Sequence, residues 1–336
     1  MRTRATRVTR RVAAVDCGTN SLRLLIADID LDRAELTDVA RRMEIVRLGQ
    51  GVDQTGRLAP EALARTTGML RDYADVIADT SAGAVRMVAT SATRDASNTS
   101  EFTRQVKEIL GVVPEVLTGS EEAALSFTGA TAELAAAPSA AAFGAHFRGP
   151  FLVVDIGGGS TEFVLGQATA AGRREAGEPA LQAISVDIGC VRMTERHLHS
   201  DPPSVAELAA ATADIDAALD AVAGAVPVRQ ARTLVGLAGS VTTVAGIAMG
   251  LPAYDASRIH HARVAAADVH EVARSLLAQT RAARAAIGVM HPGRVDVIGG
   301  GALILDQIMQ RFGFGEVLVS EHDILDGIAW SLAAGP

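Results

Sequence analysis

Three glycines stand between an aspartate and a glutamate in the stretch VVDIGGGSTEF, Val153 to Phe163. Glycines at a strand turn allow φ > 0 and close approach of a ligand to the backbone, and successive N–H groups there form an anion nest. Asp155 closes an apolar run, where an unpaired carboxylate is costly to bury. Asp155 and Glu162 offer oxygen ligands of the kind that suit Mg²⁺, whose octahedral shell is commonly completed by phosphate. Two other phosphate motifs fail on spacing. The stretch lacks GxGxxG and runs into strand-like FVLG rather than a helix, and no GK[ST] is present. For one copy alone, a plain tight hairpin is the competing explanation.

A second copy exists. Setting VAAVDCGTNSLRLLI over FLVVDIGGGSTEFVL aligns Asp16 with Asp155, Gly18 with Gly157 and Ser21 with Ser160, at a separation of 139 residues. That interval is about the size of one domain. Each copy is followed by a further strand-to-turn element, VRMVATSATRDASN after the first and TLVGLAGSVTTVAG after the second, so an internal duplication is expected. Two related lobes would face each other across a cleft, each lining one wall with a turn: Gly18, Thr19, Asn20 and Ser21 on one side, Gly157, Gly158, Gly159 and Ser160 on the other. Arg23 falls opposite Glu162 in this alignment. One wall then offers a cation for phosphate and the other a carboxylate for a metal.

The elements that must carry these turns alternate. AAVDCGTN and SLRLLIADID read as strand, tight turn, strand, with Asp16 at the end of the first. LAPEALARTTGMLRDYADVIAD has Pro60 at a helix start and Leu63, Leu70, Tyr73 and Ile77 at helical spacing. VRMVATSA reads as a strand, EFTRQVKEILG as a helix ending at Gly111, and AISVDIG as a short strand. Ser204 and Glu207 form a capping box for SVAELAAATADIDAALDAV. TLVGLAGSVTTVAGIA and VDVIGGGALILDQIM both read as strand, turn, helix, and ILDGIAWSLAA as a final helix bearing Trp330, an expected interdomain packing residue. Ala135 to Gly149 and Gln167 to Pro179 read as loops.

Composition sets limits. The 336 residues have room for two or three domains, and no apolar run approaches the roughly 18 residues that span a bilayer. The basic start MRTRATRVTRR is followed by AAVDCGTN, so no secretory signal is expected, and residues 1–11 read as a frayed terminus. Cys17 and Cys190 are the only cysteines, which fits a reducing compartment, and the cytoplasm is the expected location. Both flank motif glycines and read as small residues filling turns rather than nucleophiles. A net charge of −8 gives no reason to expect nucleic acid or a membrane surface as partner. There is no Cys/His cluster at zinc spacing, and His260-His261 reads as a polar loop.

In order along the chain, DCGTNSLRLLI, RLGQGV, ATSATRDASN, TGSEEA, DIGGGSTEF, SVDIGCVRMTE, GLAGSVTT and VDVIGGGALIL resemble the exopolyphosphatase / guanosine pentaphosphate phosphohydrolase family. The resemblance implies an α/β fold of duplicated ribonuclease-H-like domains of the actin-like ATPase superfamily, with a cleft between them. It divides the chain into residues 1–128, residues 129–318, and a terminal helix within 319–336 that packs back on the first domain. It implies removal of terminal phosphate from inorganic polyphosphate, or from guanosine pentaphosphate, with Mg²⁺ or alternatively Mn²⁺. Glu122, the second glutamate of EEA, is the implied catalytic base. Ser120 as N-cap would put Glu121 and Glu122 in a first helical turn, where the macrodipole favours the ionised form.

Arg23 and Arg94 are then implied to hold the phosphoryl oxygens, with Asp155 and Glu162, joined by Asp16, on the metal. Gly239 and Ser240 add a further turn, and Arg192 and Arg258 could extend the track along a polymer. Two departures stand out. Asp326 occupies the position of a frequent family arginine, and the chain resembles the short, two-domain members, in which a homodimer is one way to strengthen the grip on a long polymer. An actin-like filament subunit and a sugar-kinase relative are the alternatives of another class. Glu122 and Arg94 speak against both.

Overall fold

A computed structural model describes residues 9–135, 149–169 and 180–334. The two loops expected at 135–149 and 167–179 lie mostly outside these residues. Residues 9–11, expected in a frayed terminus, instead begin the first strand, where Arg11 pairs with Asp28 at 2.8 Å.

Two apolar runs form the centres of two sheets. β1 (Thr9–Cys17) is buried from Val12 onward and β6 (Phe151–Ile156) throughout, the continuous burial of a strand covered on both faces. β1 pairs antiparallel with β2 (Ser21–Asp30), which pairs antiparallel with β3 (Glu35–Ile45); on its other side lie β4 (Ala84–Ala89) and β5 (Glu115–Val116), both parallel. The second sheet repeats this. β6 pairs antiparallel with β7 (Thr161–Gly166), and β7 with β8 (Gln182–Val186), while β9 (Thr233–Leu237) and β11 (Glu316–Val319) run parallel. β10 (Arg263–Ala265) adds one antiparallel edge strand.

Even the register is shared, with Asp16 opposite Arg23 and Asp155 opposite Glu162. In each hairpin the turn is closed by the same bond: the Gly18 N–H donates to the Ser21 carbonyl at 2.9 Å, and that of Gly157 to Ser160 at 3.0 Å. The duplicated ribonuclease-H-like α/β fold is therefore present. Among the described residues, no helix is long and apolar enough to cross a membrane.

Capping and packing explain most helices. Pro60 opens the helix Pro60–Thr80, which buries Leu63, Leu70 and Tyr73; Ile77 is only half buried. Gly111 ends the helix Thr99–Leu110 in the left-handed region. The Ser204–Glu207 capping box starts the helix Val205–Ala225. Two expectations fail at glycines. VDVIGGG is not strand and turn: its glycines lie inside the helix Ile298–Phe312. A Cβ on Gly301 would sit 2.2 Å from Ser240 Oγ, so these glycines serve close packing rather than a turn. After β9 no separate turn intervenes; the helix Ala238–Ala248 starts at once, with Ala238 at φ 66°.

The last helix of each repeat covers the other repeat's sheet. Helix Gly119–Thr131 follows β5, yet Ala123, Phe127 and Ala130 pack on Phe151, Val153 and Val164 of the second sheet. A boundary at 128/129 would cut this helix. Helix Ile324–Ala334 follows β11, yet Ile328, Ala329 and Trp330 pack on Val12, Ala14 and Leu25 of the first. The two helices also pack on each other.

Glycines allow that crossing. A Cβ on Gly129 would lie 1.7 Å from the Asp323 carbonyl oxygen, and one on Gly327 2.1 Å from that of Leu125. Gly129→Ala should therefore lower the midpoint of urea unfolding, by an overpacking cost of roughly 1–3 kcal/mol. Gly224→Ala, with nothing within 4 Å of the added Cβ, should leave the midpoint unchanged or raise it.

Candidate active site

The two hairpin turns meet. A Cβ on Gly158 would lie 2.8 Å from Thr19 Cβ, and one on Gly159 2.6 Å from Ser91 Oγ. None of Gly157, Gly158 and Gly159 takes a positive φ, so these glycines permit contact between the lobes rather than a left-handed turn. The Gly18 and Gly157 N–H groups already donate within their own hairpins, and anion contacts fall to the rest of each turn. Between the turns lies a cleft of about 90 Å³, lined by Asp16, Gly18 to Ser21, Arg23, Ser91, Glu122, Asp155, Gly157, Gly158, Ser160, Gly239, Ser240 and Arg294.

Four carboxylates gather here. Asp16, Glu122, Asp155 and Glu162 are all buried. Arg23 holds Asp16 Oδ2 through Nε at 2.9 Å and Nη2 at 2.6 Å, and also pairs with Asp323. Ser126 Oγ donates to Asp155 Oδ2 and Ser185 Oγ to Glu162 Oε1, each at 2.7 Å. Arg94 donates to the Leu117 carbonyl at 2.8 Å and to Glu122 Oε2 at 3.2 Å. Asp16 Oδ1 is buried with no hydrogen-bond partner. An orphaned carboxylate oxygen beside three more carboxylates is a set of oxygen donors that fits a hard divalent cation.

Comparison with known proteins gives the family. The sequence model of the Ppx/GppA phosphatase family matches residues 25–334. The chain belongs to this family. It is 51% identical to Exopolyphosphatase 2 of Mycobacterium tuberculosis, over 96% of this chain and 98% of that one. The crystal structure of an exopolyphosphatase-like protein superposes with a TM-score of 0.87 at 41% identity, covering 96% and 99% of the two chains. That of the Ppx/GppA family member from Aquifex aeolicus gives 0.73 at 28% identity, covering 97% and 98%.

In this Ppx/GppA phosphatase, most of the expected site residues converge, but their environments differ from expectation. Thr118, not Ser120, caps the helix bearing Glu122, and Glu121 closes a capping box with it, its carboxyl held low by the Thr118 N–H and hydroxyl. Glu122 is the reverse. Burial, then repulsion from Glu162, pushes its carboxyl well above the usual range, and Arg94 only partly offsets this. Desolvation and three neighbouring carboxylates outweigh the helix dipole that was expected to keep it ionised. Burial and neighbouring acids likewise push Asp155 up to about 6 and Glu162 up to about 7.

Three expected arginines do not line the cleft: Arg94, which pairs with Glu122 from outside the lining, and Arg192 and Arg258. Arg192 donates to the Gly159 carbonyl at 2.6 Å and pairs with Asp53 and Asp95 of the first lobe, latching the lobes behind the turns. Arg258 is exposed and does not line the cleft. Arg294, which sequence reasoning missed, lines the cleft instead. Its guanidinium carbon would lie 2.2 Å from a Cβ on Gly239, so it rests on bare backbone. The available signal was a lone arginine in HPGRVDVIGGG. Asp326 accepts from the Asp323 N–H at 3.0 Å at the start of the last helix and binds Arg41 at 2.5 Å. Cys17 and Cys190 are buried and their thiols pushed up by burial, which leaves them unsuited as nucleophiles.

The raised carboxyls fix the sign of a pH effect. A group with a raised folded pKa stabilises the fold below its unfolded pKa, and that contribution is lost as pH rises through the folded value. In chelator, Glu162→Gln should gain thermal stability over the parent as pH rises from about 4.5 to about 7. Added Mg²⁺ should raise the melting temperature of the parent more than that of the variant, read by circular dichroism.

Proposed function

We propose that this protein is an exopolyphosphatase, releasing terminal orthophosphate from inorganic polyphosphate by attack of water. The observation that carries this reading is buried Glu122, paired with part-exposed Arg94 at 3.2 Å and lining the cleft with Asp155 of β6. Burial and the neighbouring carboxylates raise the proton affinity of Glu122, which makes it a stronger base toward water than a solvated glutamate. Glu122 accepts the proton of the water that attacks the terminal phosphorus. The bond to the bridging oxygen breaks, and the shortened polymer is the leaving group.

The chain's own residues prepare this step. Thr19, Asn20, Gly158, Gly159 and Ser160 hold the terminal phosphoryl group between the turns, and Arg23, Arg94 and Arg294 offset the charge of its oxygens. Ser126 and Ser185 orient Asp155 and Glu162. Asp16, Asp155 and Glu162 would hold Mg²⁺, which when bound supplies charge neutralisation to the phosphoryl oxygens and relieves the repulsion felt by Glu122.

Beyond Arg23 and Arg294 a second cavity of about 500 Å³ continues from the cleft, with Arg41, Arg42 and His291 on its walls. It receives the remaining phosphates of the polymer. Its other wall carries Met43, Tyr254, Val289, Met290 and Leu325, and this apolar side favours a second reading in which a nucleoside enters, making guanosine pentaphosphate the substrate.

Phosphate release from both substrates decides between them. Polyphosphate should give the higher kcat/KM; preference for guanosine pentaphosphate overturns the first reading. Glu122→Ala should lower kcat by roughly 10² to 10⁴ on the preferred substrate. Arg258→Ala should leave kcat and KM unchanged.

A further inference from the structure

We propose that Glu133, His260 and His322 form a second metal site, for a cation of the Zn²⁺ class, distinct from the catalytic carboxylates. The three residues come from three separate segments: the end of the helix Gly119–Thr131, the loop after Ile259, and the residues entering the helix Ile324–Ala334. Their donor atoms all lie within 4.8 Å of one another. His260 Nε2 is 3.1 Å from Glu133 Oε2, and His322 Nδ1 is 3.4 Å from Glu133 Oε1. Separations of this order need little adjustment to become edges of a tetrahedral shell.

The donor chemistry selects the ion. Two imidazoles and one carboxylate are the ligands of Zn²⁺ and its neighbours, whereas the catalytic cluster offers oxygen alone and suits Mg²⁺. Three ligands leave a fourth position for water, and all three side chains are part-exposed, so an ion can enter from solvent. The imidazoles are crowded: His260 stacks on His261 at 3.7 Å and on His322 at 4.6 Å between ring centres. A divalent ion brings two charges at one point, directly beside the single carboxylate.

Occupancy would be felt in the catalytic cleft. The Glu321 N–H donates to His260 Nδ1 at 3.1 Å, so the ring's own proton is on Nε2, toward Glu133. A metal takes the Nε2 lone pair, the proton moves to Nδ1, and the Glu321 N–H contact is given up. Glu321 precedes His322, and Asp323 follows it. Asp323 pairs with Arg23, accepts from the Leu325 N–H at 3.0 Å, and lays its carbonyl against Gly129. The ion thus joins the two exchanged helices next to the residue that holds Arg23.

Cobalt substitution tests this without reading activity. Untagged full-length protein, stripped with chelator and held in excess Mg²⁺ to occupy the catalytic carboxylates, is titrated with Co²⁺. One Co²⁺ per chain is expected, with the intense visible absorption of a tetrahedral centre, displaced by Zn²⁺. His322→Ala and Glu133→Gln should weaken binding roughly 100-fold or more, and Asp155→Asn should leave it unchanged. Circular dichroism confirms that each variant is folded, and Glu133→Gln keeps the shape of the side chain should His322→Ala fail to fold. Absorption that survives in Glu133→Gln, disappears in Asp155→Asn, or shows only weak six-coordinate bands overturns the proposal.

Discussion

The crossing of the two exchanged helices governs the rest of the molecule. Asp323 makes the point. Its carbonyl lies over Gly129, its Oδ1 caps the terminal helix, and its Oδ2 pairs with Arg23 on β2. The guanidinium of Arg23 in the cleft is thus held by the residue on which one helix rests against the other. A side chain at Gly129 would press on that residue, and one at Gly327 on the Leu125 carbonyl of the partner helix. Latching by Arg192 to Asp53 and Asp95 does the corresponding work behind the turns.

Within this frame the two repeats differ where chemistry needs them to. Backbone register and turn bond are the same in both hairpins, but position 23 carries a guanidinium and position 162 a carboxylate. The first lobe therefore neutralises its buried aspartate internally through Arg23. The second lobe sets two carboxylates side by side, and their mutual repulsion adds to desolvation in raising Glu162. Charge left uncompensated on one wall is what a cation and a phosphate together would balance.

Much of this was legible in the sequence, because it depends on local order. The apolar runs before Asp16 and Asp155, Pro60, Gly111 and the Ser204–Glu207 box all act within a few residues of themselves. What escaped notice depends on tertiary contact. The glycines of IGGG resemble a turn, yet they thin the helix where Ser240 and Cys190 press against it. Arg294 reaches the cleft only because Gly239 has no side chain. Arg258 and Arg192 look alike as motif arginines, but one is in solvent and the other is bound by two aspartates. The Glu133–His260–His322 group joins residues too far apart in sequence for any spacing rule.

The exchange of helices also explains how Glu122 comes to serve the second lobe. The helix Gly119–Thr131 is encoded in the first repeat but seated on the second sheet. Residues 119, 122 and 126 fall on one face at helical spacing. Gly119 lies so close to Ser185 that a Cβ would be 2.4 Å from its Cβ, and Ser185 orients Glu162. Ser126 orients Asp155. Between them Glu122 stands with both carboxylates close enough to raise its own pKa. One helical face therefore sets Glu122 and both of its acidic neighbours. A shift of this helix along its axis would disturb all three at once, which is why its seating depends on glycine at both 119 and 129.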